Sequence, residues 1–281
     1  MSESARTRIK EVTTLEISLR GIHLVFSREN DWYTDEFYHL VSNDTWEPMT
    51  IAFFERNMDQ NTVLIDIGAA TGVLSMFAAK LGAQVIAFEP NPIAVKILEK
   101  NIKINNLDQA ILVIPDAVSD KDSVMKFAVG FDSSVLSPGV MHGMQNQNNE
   151  DIRVQNIVNV VKTYSSQNNV KMIMKMDIEG AEYKILRNGT AVRALAEKVQ
   201  KLYVSFHPGF NRPTRVKIKY LAFILSKFKL PLILRDHFRI FANLNSEGSV
   251  FTSDGRQVNK FREFAGLLHF GSHDWIWEPR R

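Results

Sequence analysis

The sequence predicts an α/β fold: a mainly parallel twisted sheet with helices on both faces and an antiparallel pair at its end. Three observations carry this expectation. From residue 61, short apolar runs of strand length alternate with helix-periodic segments, and each parallel crossover needs such a connecting helix. The runs are apolar throughout rather than alternating, as in strands buried on both faces. The chain of 281 residues, 45% hydrophobic and 23% charged, has ample material for a large core without disulfides or metals.

The elements follow in order. Leu15, Ile17 and Leu19, then Ile22, Leu24 and Phe26, alternate around Gly21 and read as a short hairpin. An aromatic region follows (Trp32, Tyr33, Phe37, Tyr38, Trp46), then a helix from Glu47 to Met58. "TVLIDIG" is the first buried strand. After it Leu74, Phe77, Ala78 and Leu81 fall at i, i+3, i+4 and i+7, one helix face. "QVIAFEP" is the second strand, and Asn91 followed by Pro92 is a cap and first-turn proline for the next helix. "AILVIPD" and "VKMIMKMDIEG" are the third and fourth strands, with "SVMKFAV" and "IRVQNIVNVV" as added strands around a loop between them. Helices are expected over Glu179–Arg187 and Thr190–Gln200, "KLYVSFH" is the fifth strand, and Val216, Tyr220, Ile224 and Phe228 mark an amphipathic helix. The region from His237 to the C-terminus contains a glycine-punctuated β-like stretch that supplies the antiparallel end, with Trp275 and Trp277 closing the sheet edge, or as the alternative lining an acceptor pocket. The expected organisation is an N-terminal β/α extension over 1–58 and a main domain over 59–281, with an inserted loop at about 130–151.

Composition excludes some chemistry. With no cysteine there are no disulfides, thiolate nucleophiles or cysteine-ligated metal centres. No signal-like N-terminus or bilayer-length apolar stretch is visible, so the expectation is a soluble, cytoplasmic protein, peripheral membrane contact apart. The formal charge of +3 hides an asymmetry. Lys184 to Arg239 carries 13 Lys/Arg against Glu197 and Asp236, so the rest is net acidic.

In an open α/β sheet, ligands bind outside the carboxyl ends of the strands. The first such end reads Asp66-Ile67-Gly68-Ala69-Ala70-Thr71-Gly72. A dinucleotide fingerprint, G-x-G-x-x-G, fails at Ala70 and Val73, which disfavours a pyrophosphate. What remains is three acidic strand ends, Asp66, Glu89 and Asp116, around one glycine turn. Glu89 is placed to accept both hydroxyls of a ribose and Asp116 an adenine amino group, a nucleoside set without a phosphate cradle. That set suits S-adenosylmethionine.

"TVLIDIGAATGVLS", "AFEPNP", "PDAVSD" and above all "MKMDIEGAEYKILRNG" resemble the FkbM family of S-adenosylmethionine-dependent methyltransferases, from about Trp46 to His207. The resemblance implies a Rossmann-like class I methyltransferase with a seven-stranded sheet. It also implies methylation of a hydroxyl on a sugar, glycoconjugate or natural product. It carries cofactor contacts onto Asp66, Gly68, Ala69, Gly72, Glu89, Asn91 and Asp116, with Ala117 and Val118 beside the adenine. Ser205, two residues before His207, stands where the family often shows an acid.

Asp177 ends the fourth strand, where an acceptor hydroxyl would meet the methyl group. It is the first candidate for general base or acceptor-orienting group, with Glu179 beside it and His207 at the end of the fifth strand. Carboxylates near a helix N-terminus also gain from the macrodipole, which accounts for Glu182. A divalent cation on Asp177 and Glu179 finds no further acid at a supporting spacing, so no metal is expected. The expected partner is a small-molecule or glycan acceptor, with an anionic one suggested by the basic segment. An RNA methyltransferase and a non-catalytic cofactor-binding protein of the same fold are the alternatives; no aromatic single-strand-binding motif favours nucleic acid.

Overall fold

The computed structural model describes residues 14–28, 34–128, 149–165, 170–178, 180–207, 235–270 and 274–280. The chain opens with a hairpin, β1 (Thr14–Leu19) and β2 (Ile22–Ser27), paired antiparallel in register from Thr14↔Ser27 to Leu19↔Ile22. Its two-residue turn, Arg20-Gly21, has positive φ at both positions (47° and 81°), the geometry that matches strand twist in tight hairpins. Helix α1 (Asp35–Ser42) starts at Thr34, whose hydroxyl accepts from the Phe37 N–H. Helix α2 (Pro48–Asn57) begins with proline, whose missing N–H costs nothing in a first turn.

The main sheet begins with β3 (Thr62–Ile67), α3 (Val73–Lys80), β4 (Gln84–Phe88), α4 (Pro92–Ile104) and β5 (Ile111–Ile114). Then come β6 (Ala117–Ser119), β7 (Ser123–Ala128), β8 (Asn149–Asn156), α5 (Ile157–Tyr164) and β9 (Lys171–Met176). Helices α6 (Glu182–Leu186) and α7 (Gly189–Lys198) lead to β10 (Lys201–Ser205). A helix α8, described over 235–247, precedes β11 (Gly248–Thr252), β12 (Gln257–Val258), α9 (Phe261–Phe270) and β13 (Asp274–Pro279).

These strands form an eight-stranded sheet in the order β12-β11-β13-β10-β9-β3-β4-β5. The five strands from β10 to β5 are mutually parallel, and β13 and β11 add antiparallel. Two buried layers cover it. One sets Ile65, Met174 and Val204 against α5, α6, α7, α8 and α9. The other sets Leu64, Val85 and Ile173 against the hairpin, α1, α2, α3 and α4. Each large apolar side chain so buried contributes about 1.5–3 kcal/mol. Helices on both faces of a mainly parallel sheet are the arrangement expected from the sequence.

Four details differ. The sheet has eight strands rather than seven, because the short β12 adds an edge. Of "IRVQNIVNVV" only the first half is strand. Asn156 caps the Val158 N–H, and Ile157, Val160 and Val161, buried at helical spacing, turn the β-branched run into α5. The region after His237 starts helical, with Ile240 and Leu244 buried four residues apart, and β structure begins at Gly248. Trp275 and Trp277 do not close an edge: β13 lies between β10 and β11, both indoles are buried, and Trp277 Nε1 donates to the Leu244 carbonyl. The segments β6, β8 and β7 form a separate three-stranded sheet. Most of the inserted loop and the expected helix around Val216–Phe228 lie outside the described residues. Among the described residues, no helix is long and apolar enough to cross a membrane.

Candidate functional site

The strand order reverses between β3 and β9: the chain runs outward through β4 and β5 on one side and through β10 on the other. A crevice opens outside the carboxyl ends of strands at such a point. The turn after β3 is built to be close to β9. Gly68 has φ +86°, and a Cβ there would stand 1.9 Å from the Asp177 carbonyl oxygen. The Gly68 and Ala69 N–H groups both donate to the Phe88 carbonyl, at 2.9 and 3.0 Å. Gly72, φ +92°, starts α3 against Leu98, whose Cδ1 would lie 2.3 Å from an added Cβ. The Thr71 hydroxyl is buried and has no hydrogen-bond partner among the described residues.

Behind the turn lies a buried ion pair. Asp66 and Lys175 sit opposite each other in register on β3 and β9. The Lys175 ammonium is 3.2 Å from Asp66 Oδ1, 3.7 Å from Asp177 Oδ2, and donates to the Gly68 carbonyl at 2.9 Å. Burial alone would lower its pKa; Asp66, then Asp177 and Glu47, outweigh that and hold it above the ordinary range. The other Asp66 oxygen accepts from the Ser75 hydroxyl at 2.6 Å. Asp66 is fully enclosed, so it shapes the turn from behind.

Glu89, one residue past the last register pair of β4, is buried beside the turn. Its Oε2 accepts from the Ala70 N–H at 2.9 Å and its Oε1 from the Asn91 N–H at 2.8 Å. A turn N–H that could have met a phosphate is thus taken by a carboxylate. A carboxylate has about four lone-pair sites, so capacity for a diol remains. Burial pushes the Glu89 carboxyl up to about 7, against the pull of its two N–H donors. Asn91 caps α4 by accepting from the Ile93 N–H. Asp116 follows β5 and accepts from Gln155 Nε2 at 2.6 Å, with Arg153 at 3.7 Å. Ala117 and Val118 are buried in β6.

The acceptor side gathers around Asp177. The His207 ring stands between two acids: Nε2 is 3.6 Å from Asp177 Oδ1 and Nδ1 is 3.8 Å from Glu182 Oε1. Glu182 is sealed from solvent and accepts from the N–H groups of Gly180 and His207, both at 2.7 Å, joining the start of α6 to the end of β10. That tie, rather than the macrodipole, explains it. Burial raises its pKa, with the His207 N–H opposing. Ser205 donates to Asp274 at 2.8 Å, so β13 brings a carboxylate to the place where the family resemblance leads one to look for an acid. Beside it the Thr50 hydroxyl donates to the buried Tyr203 phenol at 2.9 Å.

Of the expected residues, Asp66, Gly68, Ala69, Gly72, Glu89 and Asn91 come together at the turn, and Asp177 with His207 at the crevice. Asp116, Ala117 and Val118 lie beyond β5, and Glu179 falls outside the described residues. Sequence reasoning missed Lys175, Glu47, Thr50, Tyr203 and Asp274. The signal for Lys175 was a lone cation inside "MIMKMD"; the others come from distant segments. The donor set fits a nucleoside: a carboxylate with lone pairs to spare, an orphaned hydroxyl, and a turn with little N–H left for phosphate.

Residues 66–248 match the Methyltransferase FkbM domain. The ribosomal protein L11 methyltransferase of Bacillus cereus (strain ATCC 10987 / NRS 248) is 39% identical over 66 residues, 23% of this chain. The matched stretch spans only 21% of that relative's length. Among solved structures, the methyltransferase FkbM from Methylobacillus flagellatus KT is 16% identical, with TM-score 0.40 over 88% of this chain and 55% of that one. A SAM-dependent methyltransferase from Agrobacterium tumefaciens is 13% identical, with TM-score 0.40 over 96% and 72%.

Proposed function

The chain belongs to the FkbM family of methyltransferases, and from that footing we propose that it transfers a methyl group from S-adenosylmethionine to a hydroxyl of a sugar, glycoconjugate or natural product. When bound, S-adenosylmethionine supplies an electrophilic methyl group on a sulfonium. Glu89 would hold the ribose hydroxyls, Asp116 the adenine amino group and the Gly68–Gly72 turn the remainder of the nucleoside. The observation that carries the reading is the contact between that turn and Asp177, since Gly68 lies directly against the Asp177 carbonyl. A group held by the turn is therefore next to a carboxylate that is partly open to solvent.

Asp177, with His207 at 3.6 Å, binds and orients the acceptor hydroxyl, and the cluster around it receives the proton. Orientation of this kind supplies much of the barrier reduction in a bimolecular transfer, on the order of 7–11 kcal/mol at best. General-base assistance contributes typically ~100- to 10,000-fold. The carboxylates facing this part of the crevice suit a neutral polyhydroxylated acceptor.

The test is transfer of labelled methyl from S-adenosylmethionine to a panel of methyl glycosides and polyketide alcohols. Asp177→Ala is expected to lower turnover at least about 100-fold, while calorimetry still detects S-adenosylhomocysteine. Transfer to RNA or protein with no hydroxyl acceptor in the panel methylated overturns the acceptor assignment. No binding of S-adenosylhomocysteine by the wild type overturns the cofactor assignment.

A further inference from the structure

Glu47 stands outside the matched region, at the head of α2, in a conformation that needs explaining. Its φ of 44° and ψ of 49° place a non-glycine residue in the left-handed region, directly before Pro48, where a residue is normally pushed to extended backbone. Such positions cost roughly 1–3 kcal/mol and persist where the surroundings impose them. What this conformation gains is placement. Glu47 is brought to the carboxyl ends of β9 and β10. There its carboxyl feels the charges of Asp177 and Lys175 on β9 and of Asp274 on β13, and the Thr50–Tyr203 hydrogen bond at 2.9 Å ties the first turn of its helix to β10.

The other acids of the crevice are committed. Asp66 and Glu182 are fully enclosed and hold protein donors. Asp274 takes the Ser205 hydroxyl. Asp177 faces both Lys175 and His207. Glu47 is half-buried and keeps some accessible surface, and its carboxyl feels the Asp177 charge, so a ligand atom oriented by one carboxylate is within the neighbourhood of the other.

Resting on the hydroxyl-methylation reading above, we propose that Glu47 is a catalytic residue that takes the proton from the acceptor hydroxyl while Asp177, paired with Lys175, orients that hydroxyl. The acceptor O–H bond breaks as the proton passes to the Glu47 carboxylate. The oxygen's electron pair forms the new O–CH3 bond, and the C–S bond breaks with its pair left on sulfur. The protonated Glu47 then returns its proton to water. Burial first, and the Asp177 charge second, push the Glu47 carboxyl up to about 7, with Lys175 and Thr50 opposing. That is the range in which a carboxylate works best as a base at neutral pH. An acid that only balanced Lys175 would gain nothing from it.

The experiment compares wild type, Glu47→Gln and Glu47→Asp. Methyl transfer to methyl glycosides is followed across pH, S-adenosylhomocysteine binding by calorimetry, and the glutamate carboxyls by carbon-13 NMR of the unliganded protein. Expected is a wild-type rate that rises with pH through about 7, because the ionised form accepts the proton. Glu47→Gln should lose kcat at least about 100-fold, lack that limb, keep its S-adenosylhomocysteine affinity within a factor of three, and lack one resonance titrating near 7. Glu47→Asp should recover part of kcat with the limb restored, which a purely structural role would not produce. An active Glu47→Gln enzyme that keeps the limb, or a Glu47 resonance titrating in the ordinary carboxylate range, overturns the Glu47 role alone. A wild type that methylates no hydroxyl overturns the hydroxyl-methylation reading and the Glu47 role together.

Discussion

Lys175 and Glu89 show how single side chains tie stability to chemistry. Lys175 is the cation that makes Asp66 tolerable inside the sheet. Removing one partner of a buried pair leaves the other charge uncompensated, at a cost of about 3–5 kcal/mol. Lys175→Met, of similar length and apolar, is therefore expected to lower the free energy of unfolding by that amount in urea titrations. A loss under about 1 kcal/mol would show that the pair is dispensable. Glu89 predicts a pH dependence. Its carboxyl is raised from 4.5 to about 7 in the fold. Below 4.5 it is protonated in both states and costs nothing. Between 4.5 and 7 only the unfolded chain ionises, so stability falls as pH rises through this window. The shift corresponds to about 3 kcal/mol, and Glu89→Gln should flatten that part of a stability–pH curve. Its approach to S-adenosylhomocysteine is checked separately: affinity should tighten by up to about tenfold from pH 6 to 8 as the carboxylate forms.

At the scale of elements, the site depends on close approach and on anchoring. Gly68 lets the β3 turn touch the end of β9. Gly68→Ala would place its Cβ 1.9 Å from a backbone oxygen in a left-handed conformation, and neither can relax cheaply. The expected result is loss of S-adenosylhomocysteine binding by calorimetry and a lowered melting temperature. Asn101 of α4 joins three segments: it accepts from the Ser27 N–H of β2 at 2.8 Å and donates to the Thr71 carbonyl of the turn at 3.0 Å. Ser27 and Thr71 are both buried, so each lost bond costs roughly 1–3 kcal/mol. Asn101→Ala should thus destabilise by about 2–4 kcal/mol and loosen the turn together with the hairpin, visible as faster amide exchange in both. Exchange confined to the hairpin would separate the two.

For the whole molecule, the net charge of +3 sums an acidic body and the basic segment Lys184–Arg239. The nearest described neighbours of Asp177 are Lys175 at 3.7 Å and His207 at 3.6 Å, and much of the basic segment lies outside the described residues, so attraction of an anionic acceptor is tested through its dependence on salt. Such steering is screened within about 8 Å at physiological salt. If it operates, kcat/KM for an acidic sugar should fall several-fold with added salt while that for its neutral analogue stays level. Equal responses would remove the anionic-acceptor reading.

The alternation of buried strands and helices, and the glycine turn with its acids, were legible because they are local. Period, composition and caps lie within a few residues of one another, and the parallel sheet follows from them. Asp66, Glu89 and Asp177 could be named as strand ends before any coordinates. The β-branched run "IVNVV" favours strand by propensity, but the Asn156 cap and the helical spacing of Ile157, Val160 and Val161 outweigh it, a choice made by burial against the sheet. The partners of the strand ends were not legible, because pairing is non-local. Lys175 meets Asp66 through strand register, Asp274 reaches Ser205 across an antiparallel pair 69 residues apart in sequence, and Glu47 arrives from a helix before the first core strand. A carboxylate at a strand end announces a site; which cation faces it, and which second carboxylate stands beside it, is set by the packing that also sets its charge.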